Sequence, residues 1–215
     1  MNFTKDFFSL LLDFGDEWAI TNIESNHKTQ EVFLDVECVT DHYEDPSSLT
    51  PAKLYDHAEA RVWRHRDILH YKSYVRCRIP RVLCADGKVR QVSIGWANKH
   101  DRQTFSFEIK VIDLLNATKD QSKTAAYLSC SFRLVNRIMH RCTPRGMDRR
   151  NYSYVPFEHI SIDEKAFQKG HKYVTLISHP KSGGILDVGE GRDTSSTERL
   201  LEKTFTKTQR ESIIH

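Results

Sequence analysis

Five polar residues near position 137 have the types and spacing that DNA bases and phosphates require. They are Arg133, Asn136, Arg137, His140 and Arg141. At about 100° per residue, with Val135 set to zero, they fall on an arc of about 100° to 240° of a helix. Arginine binds guanine edges and phosphates with two hydrogen bonds, and asparagine does the same for adenine. The pattern predicts a major-groove helix, and an amphipathic surface helix whose arginines meet only water is the alternative.

The opposite face of the same helix is apolar, within about 60° of zero. It carries Phe132, Val135, Ile138, Met139 and Cys142. Further cations that could contact phosphates follow at Arg145, Arg149 and Arg150.

The formal charge of +3 hides a strong asymmetry along the chain. Residues 1–50 carry a net −9, whereas residues 51–90 and residues 119–150 each carry +6. Clustered lysine and arginine favour a polyanionic partner, although charge alone is equally compatible with an unlinked, solvated surface.

A helix-turn-helix module is predicted around the basic helix. Apolar residues recur at helical spacing from Thr104 to Asn116, and two shorter helices are predicted at 121–128 and 131–142. Pro144 and Gly146 are expected to close the last of them. Three helices with a tight turn before the third are typical of this module.

The segment before these helices is predicted to be rich in β-strands. The predicted strands are 18–24, 31–39, 61–68, 71–79 and 89–94, preceded by a short helix at 6–12. A polar stretch with two prolines, 40–54, is predicted to be a loop. After residue 157, three strands (159–164, 172–178 and 184–188) and a helix (194–204) predict the beginning of a mixed α/β domain.

Composition favours a globular protein of a reducing compartment. Of 215 residues, 39% are hydrophobic and 28% are charged, and no apolar run is long enough for a membrane span. The first residues lack the order of a signal peptide. Five scattered cysteines argue against a disulfide framework, so a cytoplasmic location and no membrane partner are predicted.

Several segments resemble one family collinearly from about residue 55 to 200. The stretch from Ile162 to Thr175 and the block Gly189–Asp193 resemble the catalytic core of bacterial insertion-sequence transposases of the ISL3 group. Upstream, Trp63–Asp67, Arg78–Val82 and the segment from Gln91 to Trp96 resemble its N-terminal zinc-ribbon region.

The resemblance implies an α+β protein in three parts. These are a β-rich, ribbon-like module (1–98), a helix-turn-helix DNA-binding module (99–150) and the incomplete beginning of a ribonuclease-H-like α/β core (151–215). Such enzymes cut and join DNA with three carboxylates, two aspartates and a glutamate, that hold two Mg²⁺ ions. By position, Asp163 matches the first carboxylate, and Glu164 is expected to point to the other sheet face.

Two departures from the family pattern accompany this resemblance. The positions of the second aspartate and the glutamate lie beyond His215, so the chain is expected to be truncated and not catalytic alone. No zinc is expected, because Cys84 has no partner in Ala85–Gly87 and no cysteine occurs at 48–53.

Three functional hypotheses therefore stay open. The chain is a transposase that binds the double-stranded terminal repeats of its element, a DNA-binding regulator that blocks the intact transposase, or a decayed product without activity. Self-association and association with the intact enzyme are both open as protein partnerships.

Overall fold

The chain forms two compact units that divide after Cys142. The computed structural model describes Leu12 and residues 14–148, 156–168 and 172–213. The predicted helix at 6–12 lies almost wholly outside these residues. Among the described helices, none is both long and apolar enough to cross a membrane.

Two four-stranded sheets form the β-rich part of the first unit. The first sheet contains β1 (Trp18–Asn26), β2 (Glu31–Cys38), β5 (Arg61–Ile68) and β6 (Tyr71–Cys77), in the order β1-β2-β6-β5. Strands β2 and β6 are parallel and join two antiparallel hairpins. The second sheet is antiparallel and contains β3 (Tyr43–Glu44), β4 (Pro51–His57), β7 (Pro80–Leu83) and β8 (Val89–Gln91).

The prediction of a loop at 40–54 is wrong, because β3 and the start of β4 lie in this segment. Strand β4 has no alternation of apolar residues, and most of its side chains are exposed. It is a strand because its backbone pairs with β3 and β7, a property that hydrophobic periodicity does not detect.

Aromatic rings fill the core of the first sheet. Trp96, from the segment after β8, meets the rings of Trp63 and Trp18 edge-on, with centroid separations of 5.0 and 5.8 Å. Trp63 is fully buried. The cluster is completed by strand residues, including Leu34, Val36 and Val75. This apolar contact stabilises the β-rich part of the first unit.

Three helices follow these sheets: α1 (Phe105–Thr118), α2 (Gln121–Tyr127) and α3 (Phe132–Asp148), and α3 continues past Cys142, where the two units divide. They share a core in which Phe107 and Val111 of α1 meet Val135 and Ile138 of α3. The predicted end of the third helix at Pro144 is wrong, because α3 continues to Asp148. Proline removes one backbone hydrogen bond, but its fixed φ is helical.

The helices are joined to the first sheet at the start of α1. Thr104 caps α1 by accepting a hydrogen bond from the backbone of Phe107, and its hydroxyl also contacts His65 Nδ1 of β5 at 2.9 Å. The guanidinium of Arg64 lies over the rings of both Tyr74 and Phe107. The predicted boundary at residues 98 and 99 therefore lies inside one compact unit.

The second unit contains a three-stranded antiparallel sheet and two helices. Its elements are β9 (Ser161–Gln168), β10 (Lys172–Ser178), β11 (Ile185–Glu190), α4 (Thr194–Thr204) and α5 (Lys207–Ser212). The strand order is β11-β10-β9. Ile177 and Leu186 of the sheet pack with Leu200 of α4 and Phe205, so one face of the sheet is covered.

Candidate nucleic-acid interface

Helices α2 and α3 are connected by a tight turn of four residues. Asp120 caps α2 by accepting hydrogen bonds from the backbones of Ser122 and Lys123, at 2.7 and 3.0 Å. Ser129 adopts a positive φ of 49°, and the Cys130 amide donates back to the Ala125 carbonyl. This compact reversal sets the direction in which α3 leaves the turn.

The apolar face of α3 lies close to its predicted place. Val135 and Ile138 are fully buried, and Cys142 packs at the edge of the same core. Phe132 was predicted on this face, but half of its surface is exposed. Phe132 is the first residue of α3, and the core covers only the later turns of this helix.

A cationic stripe runs along the opposite face of α3. Arg133, Arg137 and His140 are exposed and occur at i, i+4 and i+7, which places them within about 60° of one another. Within the described part of the chain, no carboxylate lies within 4.0 Å of Arg133 or Arg137. The stripe therefore presents positive charge to solvent.

Two glutamines from other elements contact the polar side of α3. Asn136 donates to Gln121 Oε1, at the start of α2, over 3.1 Å. Arg137 donates to Gln103 Oε1 over 3.5 Å, and Gln103 is 2% exposed. These glutamines restrict the orientations of the two side chains, and no local sequence pattern marks them.

Arg141 has a different environment from the other predicted DNA-binding residues. Its guanidinium forms ion pairs with Asp101, before α1, and with Glu108, within α1. Asn98 donates to Asp101 Oδ2 over 2.8 Å and closes the cluster. The charge of Arg141 is thus engaged inside the protein, where it fixes α3 against α1, rather than free for DNA.

The remaining predicted contacts lie toward the end of α3. Arg145 is exposed on the last turns of the helix. Arg149 and Arg150 lie outside the described residues, so the structure places neither.

In the first basic block, four of the ten lysines and arginines form ion pairs with acids of the described residues. Arg76 binds the Asp35 carboxylate through two nitrogens, at 2.6 and 2.9 Å, and Glu24 at 2.8 Å. The other ion pairs of this block join Arg64 to Asp67, Arg81 to Asp56, and Arg90 to Asp86 and Asp45. Partners from the acidic head and from the block itself therefore cancel part of this charge.

The second basic block keeps its charge. Apart from Arg141, its cations at residues 119–145 have no carboxylate within 4.0 Å in the described ranges. Since phosphate binding requires lysines and arginines that are free to displace the counterions of DNA, the helical module is the better candidate interface.

Asp163 lies on β9, at the edge of the described sheet of the second unit. It is exposed and pairs with Leu176, whereas Glu164 pairs with the buried Thr175 beside Ile177, on the face covered by α4. The prediction that Glu164 points to the other face is confirmed.

Two other carboxylates of this unit, those of Asp187 and Asp193, have structural partners. Lys203 and Thr204 bind Asp187 at 2.9 and 3.1 Å, and their hydrogen bonds outweigh partial burial and lower its pKa. Asp193 caps α4, where hydrogen bonds from Ser195 and Ser196 strongly lower its pKa. Among the described residues no group of three His, Cys, Asp or Glu could hold a metal ion. A single carboxylate does not fit a two-ion centre, so no metal-dependent step is assigned to these residues.

The turn that carries Cys84 is held by hydrogen bonds. Hydrogen bonds from Ser47, with a weaker one from Cys84, lower the pKa of the buried Asp45 to about 2. Arg90, whose pKa is raised by Asp86 and Cys84, lies beside the same group. A charged, hydrogen-bonded cluster thus links the β3–β4 and β7–β8 turns.

Comparison with known proteins identifies relatives of the chain. Residues 160–215 match an ISL3 family described as transposase. The transposase for insertion sequence element IS1557 of Mycobacterium tuberculosis is 28% identical over 151 residues, covering 67% of this chain and 32% of the relative. The transposase for IS1001 of Bordetella parapertussis is 24% identical over 148 residues, covering 67% and 36%. No solved structure matches.

The chain thus spans about a third of the length of the curated relatives it matches. The matched family segment contains β9 to α5, including Asp163. The resemblance seen in the sequence is confirmed: the chain is related to insertion-sequence transposases of the ISL3 type.

Proposed function

We propose that the chain is the DNA-end-binding part of an insertion-sequence transposase of the Asp-Asp-Glu class. Helix α3 of a helix-turn-helix module enters the major groove of the element's terminal repeats, and Arg133, Arg137 and His140 face the DNA. Asn136, held by Gln121, is oriented for an adenine edge. Arg145 and the following Arg149 and Arg150 extend toward phosphates.

The observation that supports this proposal best is the unpaired cationic stripe on α3. Four of the ten lysines and arginines of the first basic block have carboxylate partners, whereas Arg133 and Arg137 have none in the described residues. A buried apolar face, a capped preceding helix and a four-residue turn hold that stripe outward. This combination is expected of a helix that binds a groove.

In the second unit, Asp163 is proposed as the first Mg²⁺-binding carboxylate of a ribonuclease-H-like core. Its exposure on an edge strand, without an ion-pair partner in the described ranges, leaves it available for such a role. The other two carboxylates would have to come from residues that are not among those described.

Regulation is the second candidate function, and the same observation favours it. A chain that binds element ends but has no group of three metal-binding carboxylates among its described residues would occupy the ends without cutting them. In a cleavage assay with Mg²⁺ and labelled terminal repeats, this chain alone should leave the DNA intact and should inhibit an active relative in proportion to its concentration. Cleavage by the purified chain would exclude the regulatory role.

DNA binding is tested by titrating labelled duplexes of the element ends and of scrambled sequence at several salt concentrations. The logarithm of the association constant should fall linearly with the logarithm of salt concentration, by about 0.9 per phosphate contacted. Arg137→Ala should weaken binding to the element ends by about five- to 150-fold, which corresponds to about 1–3 kcal/mol for one base contact.

The matched control is Lys28→Ala, which removes an exposed cation from the β1–β2 turn. It should bind as the unaltered chain does. A salt slope near zero in the unaltered chain, or equal affinity of Arg137→Ala for the element ends, would contradict the proposal.

A further inference from the structure

We propose that residues 99–102, here called the 99–102 loop, form a second DNA contact that binds the phosphate backbone beside α3. This inference rests on the proposed function and names a further part of the same interface. The loop precedes α1 and carries three exposed basic side chains, Lys99, His100 and Arg102. None has a carboxylate within 4.0 Å among the residues that the structure describes.

The loop runs alongside the C-terminal half of α3. Asp101 is ion-paired with Arg141, and two residues later Gln103 contacts Arg137, one helical turn earlier. Four helical residues rise about 6 Å, and two residues of extended chain cover about the same distance. The loop and α3 therefore remain side by side over this turn, next to the exposed cationic stripe.

Several fixed groups hold the loop backbone in place. Arg61 of β5 donates to the carbonyls of Lys99 and Asp101, at 3.1 and 3.2 Å. The amide of Arg64 donates to the Arg102 carbonyl over 2.8 Å. The guanidinium of Arg61 also lies 4.6 Å from the centroid of the buried Trp63 ring, which ties the loop to the core of the unit.

The 99–102 loop brings positively charged side chains close together, and no carboxylate of the described residues lies within 4.0 Å of them. Burial and the nearby Arg102 both lower the pKa of Arg61, and the one acid in the loop, Asp101, is bound by Arg141. A folded protein gains nothing from concentrating unpaired cations, since like charges repel. An anionic partner removes that repulsion, and a preorganised loop binds it with little loss of conformational entropy.

Phosphate groups of the duplex that α3 reads are the partner that fits. The loop presents flexible cationic side chains on a rigid backbone, and it lies beside the helix that is proposed to enter the groove rather than on it. Contacts of this kind increase affinity for any sequence without changing which sequence is preferred.

The test compares Lys99→Ala/Arg102→Ala with Arg137→Ala and with a charge-matched control, Lys28→Ala/Lys53→Ala. Each protein is titrated with duplexes of the element ends and of scrambled sequence over a range of salt concentrations. Removing two phosphate contacts should reduce the salt slope by about 1.8, and affinity for both duplexes should fall by a similar factor. Arg137→Ala should instead reduce the preference for the element ends.

One outcome would overturn this inference alone. In it, the affinity of the unaltered chain falls steeply with salt, Arg137→Ala loses the preference for the element ends, and the loop variant keeps the full salt slope. A slope near zero in the unaltered chain would overturn both the inference and the proposed function. Circular dichroism and thermal unfolding verify that the loop variant is folded. If it unfolds early, Lys99→Gln/Arg102→Gln is measured in its place, and the same two outcomes decide.

Discussion

Protonation of His65 is expected to destabilise the first unit strongly. Its side chain is 1% exposed, its Nε2 atom has no hydrogen-bond partner among the described residues, and its Nδ1 atom contacts the hydroxyl of Thr104. Burial, followed by the charges of Arg64 and Arg66, lowers the pKa of His65 from 6.5 to about 4. The imidazole is therefore neutral in the folded protein at neutral pH.

The sign and size of the effect follow from linkage. Between pH 6.5 and about 4 the unfolded chain binds the proton and the folded chain does not, so the free energy of unfolding falls as pH falls through this window. The full stability is present above pH 6.5. A difference of about 2.5 pKa units, at 1.36 kcal/mol per unit, corresponds to about 2 kcal/mol lost by pH 5 and about 3 kcal/mol by pH 4.

Denaturant unfolding followed by tryptophan fluorescence measures this loss, because all three tryptophans lie in the aromatic core of the first unit. Carboxylates also titrate in this range, so the informative quantity is the difference between the unaltered chain and His65→Gln. Glutamine keeps a hydrogen-bonding group near Thr104 but does not titrate. The variant should lose about 2 kcal/mol less than the unaltered chain between pH 7 and pH 5.

His100→Gln serves as the control, since His100 is exposed, and it should follow the unaltered chain. An identical pH dependence in His65→Gln and the unaltered chain would refute the argument that a buried, neutral imidazole joins β5 to the start of α1.

Three further predictions concern stability. Arg141→Met should destabilise the first unit by about 3 kcal/mol, because it removes the ion pair between Arg141 and the buried carboxylate of Glu108, and calorimetry measures the change. Gly191→Ala should destabilise the second unit by about 1–3 kcal/mol, as judged by urea unfolding; the residue has a φ of 101°, and an added Cβ would lie 2.8 Å from Ser196 Cβ. Asp163→Asn should change stability by less than about 0.5 kcal/mol in the same assay, because the side chain is exposed and has no ion-pair partner in the described residues.

Each of these changes has its own control. Arg133→Met, which alters an exposed arginine of the same helix, should leave the melting temperature almost unchanged. Gly87→Ala separates strain from crowding, since that glycine also has a positive φ but nothing lies within 4 Å of an added Cβ. A large loss of stability in Asp163→Asn would show that the carboxylate supports the fold, against its assignment as a free ligand.

Sequence pattern alone predicted most of the secondary structure around the candidate interface. The helices of the first unit, the strands β9 to β11 and α4 lie close to their predicted ranges, because periodicity of 3.6 or 2 residues reports one-sided burial directly. The amphipathic character of α3 and the separation of Asp163 from Glu164 follow from the same geometry.

Pattern failed where stability comes from partners distant in the chain. Strand β4 has no alternation of apolar residues and forms because its backbone pairs with β7. A separate local error concerns α3, which continues past Pro144 because the loss of one hydrogen bond does not end a helix. The charge block at 51–90 left a polyanion-binding surface and a solvated surface equally open, and only the structure shows that Arg76 faces Asp35, 41 positions away in sequence.

In the candidate site, too, some features were predictable from the sequence and others depended on the fold. Residue type and helical spacing were sufficient to select the polar face of α3, since both are properties of a few consecutive residues. Which arginines on that face are available depended on the tertiary structure, because the acids that bind Arg141 lie 40 and 33 positions earlier in the chain. Arg133 and Arg141 are alike in sequence, and they differ because only folding brings Asp101 and Glu108 to one of them.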